Sequence, residues 1–535
     1  MLSRVLMLIA ITIPLAAAPL AAQEHEHGPA PGEKLGSVGF PVSCAPGVRP
    51  DFERAVAMLH SFWFAQAEAA FRDVAAADPG CAMASWGLAM TLWGNPMARV
   101  APPEERAAQA LEAAEAAGAL SASATERERG FIEAALALYR DQGSVDYLTR
   151  MKRHEDAMLR VHEENPDDVE AAIFYARAVV ANASPDDLTF QRQMHAASIM
   201  EPMFQARPDH PGLAHYLIHA YDAPPIAQRG VDAARRYASI APAAPHALHM
   251  PSHIFTRLGY WDESIETNRR SADAEENPDA AVHPLDYMVY AYLQQGRDEE
   301  ARAVVGRTVQ LPDRFYQSLI GYNFTAMPAR LALERSRWEE AAELPVPQGA
   351  PPHVEAITRF ARAVGAARSG RPDAARGDVA ALETLRDELK AKNDAYWATV
   401  VEAQRQAASA WLAQAEGDDD AALRLAHEAA EIEGRIEKHP ITPGPLLPAR
   451  ELEGDLLLEL DRPAEALAAY RKTLEREPRR ARSLYGAAQA AEAAGDEAAA
   501  GGYYAQLVEL MAVDSPREEL ARARAYLARS TSSRR

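Results

Sequence analysis

The chain has 535 residues, a formal net charge of −21, 48% hydrophobic residues and two cysteines. Nucleic acid is excluded as an expected partner, because so acidic a chain offers no evident basic face for phosphate groups. The length exceeds what one compact core usually takes, and good helix formers dominate, so we expect an all-α protein built as several domains or as an extended solenoid.

The first 22 residues have the pattern of an export signal. Arg4 precedes an apolar stretch from Val5 to Leu15, and small residues follow up to Ala22. This stretch is too short and too proline-interrupted for a membrane span. We expect cleavage after Ala22, a mature protein without a transmembrane span, and a periplasmic or secreted location. Residues 23–49 are expected to form a mobile leader.

The two cysteines are Cys44 and Cys81. An even number of cysteines in an exported protein favours a disulfide. Such a bond would tie the N-terminal segment to the second predicted hairpin. The alternative is a pair of buried thiols.

From Asp51 onward, helix, tight turn and helix alternate along the chain. In the first hairpin the apolar residues recur at helical spacing, and Asp78-Pro79 ends the second helix. Small, bulky and proline residues then stand at matching places near both ends of the chain: Ala67, Phe71, Val74, Pro79, Gly454, Ala466, Tyr470 and Pro478. These positions resemble the tetratricopeptide repeat (TPR) pattern.

The resemblance extends over most of residues 50–510 and is to exported bacterial TPR proteins of a His-rich subgroup. It implies an α-solenoid, a right-handed TPR superhelix of roughly ten helical hairpins. It also implies a concave groove that binds a protein or peptide ligand, without indicating any chemistry. Proline-rich stretches at 340–353 and 436–447 interrupt the pattern. We take the first as a boundary between an N-terminal solenoid, 50–340, and a C-terminal solenoid, 354–530.

Seven of the sixteen histidines lie between 210 and 283. His215 and His219 are four residues apart, as are His249 and His253, and the two pairs are offset by 34 residues. Residues four apart share a helix face, and an offset of about 34 residues is one TPR period. Four imidazoles from adjacent helices therefore become candidate ligands for zinc, copper or iron.

Pro251 stands between the second pair and disturbs this simple picture. Proline inside a helix removes a backbone donor. The helix must therefore either begin near Pro251, leaving His246 and His249 in the entry segment, or be kinked there. Other polar residues are expected to line the groove nearby: His210, Asp222, His246, His283, Asp286 and Tyr290.

The sequence leaves two functions open. One is a binding scaffold that holds a peptide, a protein segment or a small ligand in its groove. The other is a metal-binding protein or metalloenzyme that uses the His cluster for hydrolysis or oxidation. The sequence does not decide between zinc, copper and iron, nor whether the protein is an enzyme.

Overall fold

The computed structural model describes residues 34–275, 277–308, 316 and 320–532. These residues form α-helices and short 3₁₀ helices, and no β-strand occurs among them. The predicted signal peptide and the start of the predicted leader, residues 1–33, lie outside the described part of the chain.

The helices of the N-terminal half follow in chain order. They are α1 (Arg49–His60), α2 (Phe64–Ala77), α3 (Ala82–Leu92), α4 (Glu104–Leu120), α5 (Glu126–Tyr139), α6 (Tyr147–Glu164), α7 (Val169–Ala181), α8 (Gln191–Ala206), α9 (Pro211–Tyr221), α10 (Val231–Ile240), α11 (Pro245–His249), α12 (Pro251–Leu258) and α13 (Trp261–Ala274). Four 3₁₀ helices also lie in this half, at Pro46–Val48, Pro96–Ala98, Ser121–Ser123 and Ala227–Gly230.

The helices of the C-terminal half complete the series. They are α14 (Val282–Gln294), α15 (Asp298–Thr308), α16 (Gly321–Glu334), α17 (Trp338–Ala342), α18 (Pro352–Arg368), α19 (Pro372–Ala391), α20 (Ala395–Ala415), α21 (Asp419–Glu433), α22 (Ala449–Glu459), α23 (Pro463–Arg476), α24 (Ala481–Ala493), α25 (Glu497–Leu510) and α26 (Glu518–Ser532).

Consecutive helices pack in pairs, and each pair stacks on the next. The short helices α11 and α12 together take the place of one helix and pack on α13, and α26 covers the last pair. The described part of the chain thus forms twelve hairpins, close to the roughly ten expected. The prediction of an all-α TPR solenoid is confirmed.

The repeat pattern has a direct physical basis in aromatic-to-glycine packing. A Cβ added to Gly87 on α3 would lie 2.2 Å from the ring of Phe71 on α2. Near the other end, a Cβ added to Gly486 on α24 would lie 2.3 Å from the ring of Tyr470 on α23. The second helix of each of these hairpins therefore inserts an aromatic ring where the next helix has no side chain.

The C-terminal hairpins fold back onto the middle of the chain. The backbone N–H of Ala481 on α24 donates to Gln294 Oε1 on α14 at 3.0 Å. The Trp261 indole donates to the carbonyl of Arg479 at 3.1 Å. One hydrophobic core accordingly joins residues 261–331 with residues 457–526. This closure fixes α14, a helix that also contributes to the candidate site.

The segment from 434 to 448, called the 434–448 loop below, crosses the first helices of several hairpins. Tyr287 Oη on α14 donates to the carbonyl of Thr442 at 3.1 Å. Asn323 on α16 donates to the carbonyl of Ile441 at 2.7 Å. The N–H of Glu437 reaches the carbonyl of Pro185 at 2.7 Å. The loop therefore packs on helix surfaces that would otherwise line an open groove.

The described part of the predicted leader packs against the first hairpins. Phe40 is buried against the rings of Phe52, Trp86 and Phe131. Residues 34–49 are thus packed chain, which differs from the mobility expected of the leader. The predicted disulfide between Cys44 and Cys81 is confirmed.

Among the described residues, no helix has both the length and the hydrophobicity that a membrane span requires. The predicted boundary at 340–353 falls between α17 and α18 and stays a prediction.

Candidate metal centre

Six histidines from three consecutive hairpins lie side by side within the solenoid. They come from α9 (His215, His219), α11 (His246, His249), α12 (His253) and α14 (His283). His215, His249 and His283 follow one another at intervals of 34 residues. The 34-residue period therefore brings imidazoles from neighbouring repeats to matching positions.

The first three histidines form one trio, which we call the first trio: His215, His219 and His246. The Nε2 atom of His215 lies 3.1 Å from His219 Nε2 and 3.2 Å from His246 Nε2. One nitrogen from each ring can be chosen so that all three lie within 4.8 Å of one another. Three imidazoles so arranged could hold one metal ion.

The remaining three, His249, His253 and His283, form the second trio. His249 Nε2 lies 3.0 Å from His253 Nε2, and the ring centre of His283 lies 4.4 Å from that of His249. Their ligand nitrogens also lie within 4.8 Å of one another. The Nδ1 atom of His283 is buried without a hydrogen-bond partner in the described structure.

The backbone around Pro251 explains how the second trio forms. Helix α11 ends at His249, and α12 begins at Pro251, where its missing N–H is harmless. Met250 between them keeps helical angles (φ −52°, ψ −36°), and His246 and His249 lie in α11. Of the two alternatives, the structure therefore agrees with a helix interrupted at Pro251 and not with one that begins there after an entry segment. His249 and His253 still converge across the junction, although they belong to different helices.

Hydrogen bonds behind the rings fix the tautomers of three histidines. His215 Nδ1 lies 2.6 Å from the backbone carbonyl of His60, an atom that can only accept. His253 Nδ1 lies 2.8 Å from a carboxylate oxygen of Asp222. His249 Nδ1 lies 2.6 Å from Asn268 Oδ1.

The orientation of the Asn268 amide is itself fixed, because its NH₂ group donates to the carbonyl of Ser264. Each of these three histidines therefore carries its proton on Nδ1, and each Nε2 lone pair points into its trio. Metal-ligating histidines are typically held in this way by a partner on the other ring nitrogen.

His249 and His253 have no proton to share between their inward nitrogens. His249 Nε2 and His253 Nε2 face each other at 3.0 Å with both protons on the far side of the rings. A further proton would create a buried imidazolium. Burial, reinforced by His283 and His253, holds the pKa of His249 well below the usual value. Burial also lowers the pKa of His253. The Nε2 lone pairs of His249 and His253 therefore lack a cation that both could bind.

A third cluster, formed by His60, Glu170 and His210, has a hydrogen-bond partner for each of its ring nitrogens. Glu170 accepts from His60 Nε2 and from His210 Nε2, each at 2.9 Å. His60 Nδ1 lies 3.1 Å from the hydroxyl of Tyr216 and can accept its proton. These groups are fully buried, and every proton has a place. The cluster needs no ion and instead holds the His60 carbonyl against the first trio.

The fourth group of possible ligands is Cys44, Asp78 and Cys81. Its two sulfur atoms are joined in the disulfide and are not free for a metal.

Asp222 contributes the carboxylate behind the second trio. It accepts from Arg257 Nε at 2.8 Å and lies 3.5 Å from Lys438 Nζ of the 434–448 loop. Burial opposes its ionisation, but Lys438 and Arg257 outweigh burial and hold the pKa of Asp222 well below its usual value. Asp222 is thus an ionised outer partner of His253.

The six polar residues predicted to line the groove belong to different clusters in the structure. His246 and His283 join the trios as candidate ligands, Asp222 lies directly behind one of them, and His210 belongs to the Glu170 cluster. Asp286 and Tyr290 lie elsewhere. Asp286 is buried with Asn323 and Arg330, and Tyr290 reaches Glu477 and Arg480. Both side chains support the loop and the closure of the C-terminal hairpins, which removes them from the ligand set.

Several neighbours of the site were not predicted. Tyr287 lies 34 residues after His253 and contacts its ring, so the repeat period could have identified it. His60, Glu170 and Asn268 carry no such signal, because their roles depend on helices that meet only in the folded chain.

Phe62 covers the first trio from a strained backbone position. Its ring stacks on the His246 ring, with ring centres 5.2 Å apart, and contacts the His215 ring edge-on, with ring centres 4.4 Å apart. Its φ angle is 51°, in the left-handed region. At the same position of several other hairpin turns, with the same pair of backbone hydrogen bonds, stand glycines (Gly259, Gly296, Gly370 and Gly495) or short polar residues (Ser336, Asn393 and Asp461). A bulky residue there costs about 1–2 kcal/mol, so the first turn is strained where it covers histidines.

We expect Phe62→Gly to lower the free energy of unfolding by roughly 2–4 kcal/mol, because the loss of a buried ring outweighs the relief of strain. Asp461→Gly is the matched control. Asp461 occupies the same turn position with φ 56° and is exposed. That variant should unfold at the same free energy or up to about 1 kcal/mol higher. Urea denaturation measures both, and equal stabilisation in both variants would show that the Phe62 ring contributes nothing.

No protein-family model matches the chain, and no curated protein matches its sequence. Solved structures give matches of low identity. The human IFIT1 dimer with PPP-AAAA is 10% identical, with a TM-score of 0.38, over 85% of this chain and 89% of that one. Yeast Tom70 is 12% identical, with a TM-score of 0.31, over 90% of this chain and 96% of that one. What this chain does must therefore be inferred from the chemistry of its own residues.

Proposed function

We propose that this protein binds a pair of transition-metal ions, one in each His trio, within a TPR solenoid. The observation that carries the proposal is the contact between His249 Nε2 and His253 Nε2 at 3.0 Å, with both protons held on Nδ1 by Asn268 and Asp222. Two inward lone pairs this close repel each other unless a cation lies between them.

The contrast within the protein supports the same conclusion. The His60–Glu170–His210 cluster is equally buried, yet each nitrogen there has a hydrogen-bonding partner. In the trios, His215, His249 and His253 have outer partners of the kind that orient metal ligands, and their inward Nε2 atoms carry no proton. Zinc, copper and iron all accept imidazole. A protein that only packs histidines would satisfy them as the Glu170 cluster does.

Metal content of the purified mature protein tests the proposal. After loading with zinc, copper or iron and desalting, we expect two ions per chain by elemental analysis. His25→Ala/His27→Ala is the control for adventitious binding, since both residues lie outside the described part of the chain. This variant should retain both ions. Less than roughly a tenth of an equivalent on the wild type would contradict the proposal, because a buried three-imidazole site should hold its metal through desalting.

A second candidate function is the binding of an organic ligand. A cavity of about 400 Å³ lies beside the 434–448 loop, with Tyr396, Trp397, Glu433 and Lys438 in its wall. This volume suits a small molecule or a peptide side chain. Trp397 should report occupancy through its fluorescence. An unchanged spectrum across a metabolite and peptide panel would leave this second function without support.

We also propose that the protein is exported. The support is the N-terminal sequence, with Arg4, the apolar stretch and the small residues before Ala22. Mass spectrometry of the protein from fractionated cells should find a mature N-terminus at Gln23. A chain that begins at Met1 and stays in the cytoplasm would contradict it.

The expectation that nucleic acid is not a ligand rests on the net charge of −21.

A further inference from the structure

The two trios face each other across a narrow gap. The ring centres of His219 and His253 are 6.0 Å apart, as are those of His246 and His249. A metal ion lies only about 2 Å from an imidazole nitrogen. Ions in the two trios would therefore be separated by a few ångströms, which is the range in which two metals act on one small molecule.

The charge of the surroundings restricts which metal fits. Neither trio contains a carboxylate, so all six candidate ligands are neutral. The nearest carboxylate, Asp222, is already paired with Arg257 and lies beside Lys438. Two divalent ions would place four uncompensated charges in a buried site, whereas two Cu(I) ions would place two. Imidazole is a suitable ligand for copper.

We infer, on the basis of the proposed function, that the pair is a copper pair whose reduced form binds dioxygen between the trios. Each Cu(I) gives up one electron, and dioxygen accepts both, which yields two Cu(II) ions and O₂ at the peroxide level. No proton is transferred and no bond of the protein breaks. The net charge of ions plus oxygen is +2 before and after, so the buried site accommodates both states.

Access fits a molecule of this size. Phe62 closes one side of the first trio and is almost fully buried. His246 and His283, one in each trio, remain partly exposed. The partly exposed sides of His246 and His283 are where a molecule as small as dioxygen would enter.

The test uses the full mature chain loaded with Cu(I) under anaerobic conditions. We expect two copper ions per chain, retained against an equal concentration of zinc. On exposure to air, an oxygen electrode should record one O₂ taken up for every two copper ions. The oxidised pair should give no Cu(II) electron paramagnetic resonance signal, because adjacent Cu(II) spins couple. The His249→Ala variant, with one trio intact, should bind one copper and take up no dioxygen in this ratio.

The outcomes separate the two proposals. Two copper ions with no oxygen uptake, with signals of isolated Cu(II), or with ready displacement by zinc would overturn the copper–dioxygen inference and leave the metal site standing. Failure to retain any of the metals would overturn both.

Discussion

Replacing one histidine in either trio should remove one metal ion and leave the other. We expect His215→Ala to lose the ion of the first trio and His249→Ala that of the second, since each residue contacts another ligand of its own trio at close to 3 Å. Removing one of three ligands should weaken binding by at least about 100-fold, because losing only an outer partner already costs about 10–100-fold. The double variant should bind no metal.

The measurement is metal content by elemental analysis, together with competition against a chromophoric chelator. His427→Ala is the control, since His427 is a surface residue with a side chain that is 59% exposed. It should retain both ions. Loss of both ions from either single variant would contradict two separate sites and indicate one shared ion.

Outer partners should have smaller effects than ligands. Asn268→Ala removes the acceptor that holds the proton of His249 on Nδ1. It should weaken the second-trio ion by about 10–100-fold without changing the number of ions at saturation. An unchanged affinity would show that the His249 tautomer is set by something else.

The fold could be predicted because TPR packing depends on residues that are close together in the sequence. Small residues, bulky residues and prolines recur at fixed offsets, and each hairpin contacts mainly its neighbours. The Phe71–Gly87 contact is a direct consequence of that pattern. Part of the site was predictable in the same way: His215, His219, His249 and His253 followed from their spacing of four residues and the 34-residue offset of the two pairs.

The division into two trios could not be predicted from the repeat. It depends on the interruption between His249, where α11 ends, and Pro251, where α12 begins; His246 then contacts His215 on α9, and His249 contacts His283 on α14. It also depends on the His60 carbonyl, 155 residues away from His215 in the chain. The 434–448 loop was predicted only as an interruption, since its docking on α14 and α16 is a tertiary contact.

The largest effect on stability is expected at the buried charge network that closes the C-terminal hairpins. Glu451 is fully buried and accepts from Arg480 Nε at 2.7 Å and from Arg482 Nε at 3.0 Å. Arg480 also pairs with Glu334 and contacts Tyr290 on α14. Removing one member leaves a buried charge without its partner, which typically costs 3–5 kcal/mol.

We therefore expect Glu451→Ala to lower the free energy of unfolding by about 3–5 kcal/mol in urea denaturation. The control is Glu465→Ala, because Glu465 pairs with Arg462 at the surface, where both side chains are about half exposed. It should change stability by less than about 1 kcal/mol. Similar values for the two variants would show that the buried network contributes no more than a surface pair.

The pH dependence of this network has a definite sign. Burial opposes ionisation of Glu451, but Arg480 and Arg482 outweigh it and hold its pKa at about 2, below the ordinary value of 4.5. Because the folded-state pKa is the lower one, the contribution is present above about pH 4.5 and is lost as the pH falls toward 2. Glu451→Gln should therefore lose the part of the wild-type pH dependence that falls in this interval.

The same network links stability to the proposed metal centre. Tyr290, which Arg480 contacts, lies two turns of α14 after His283, and the carbonyl of Arg479 accepts from Trp261 on α13. Loosening this closure should displace α14 and thereby weaken the second trio, while the first trio on α9 and α11 keeps its support. In folded Glu451→Ala protein, the affinity of the second ion should fall more than that of the first. Equal weakening of both ions would show that α14 does not transmit the closure to the site.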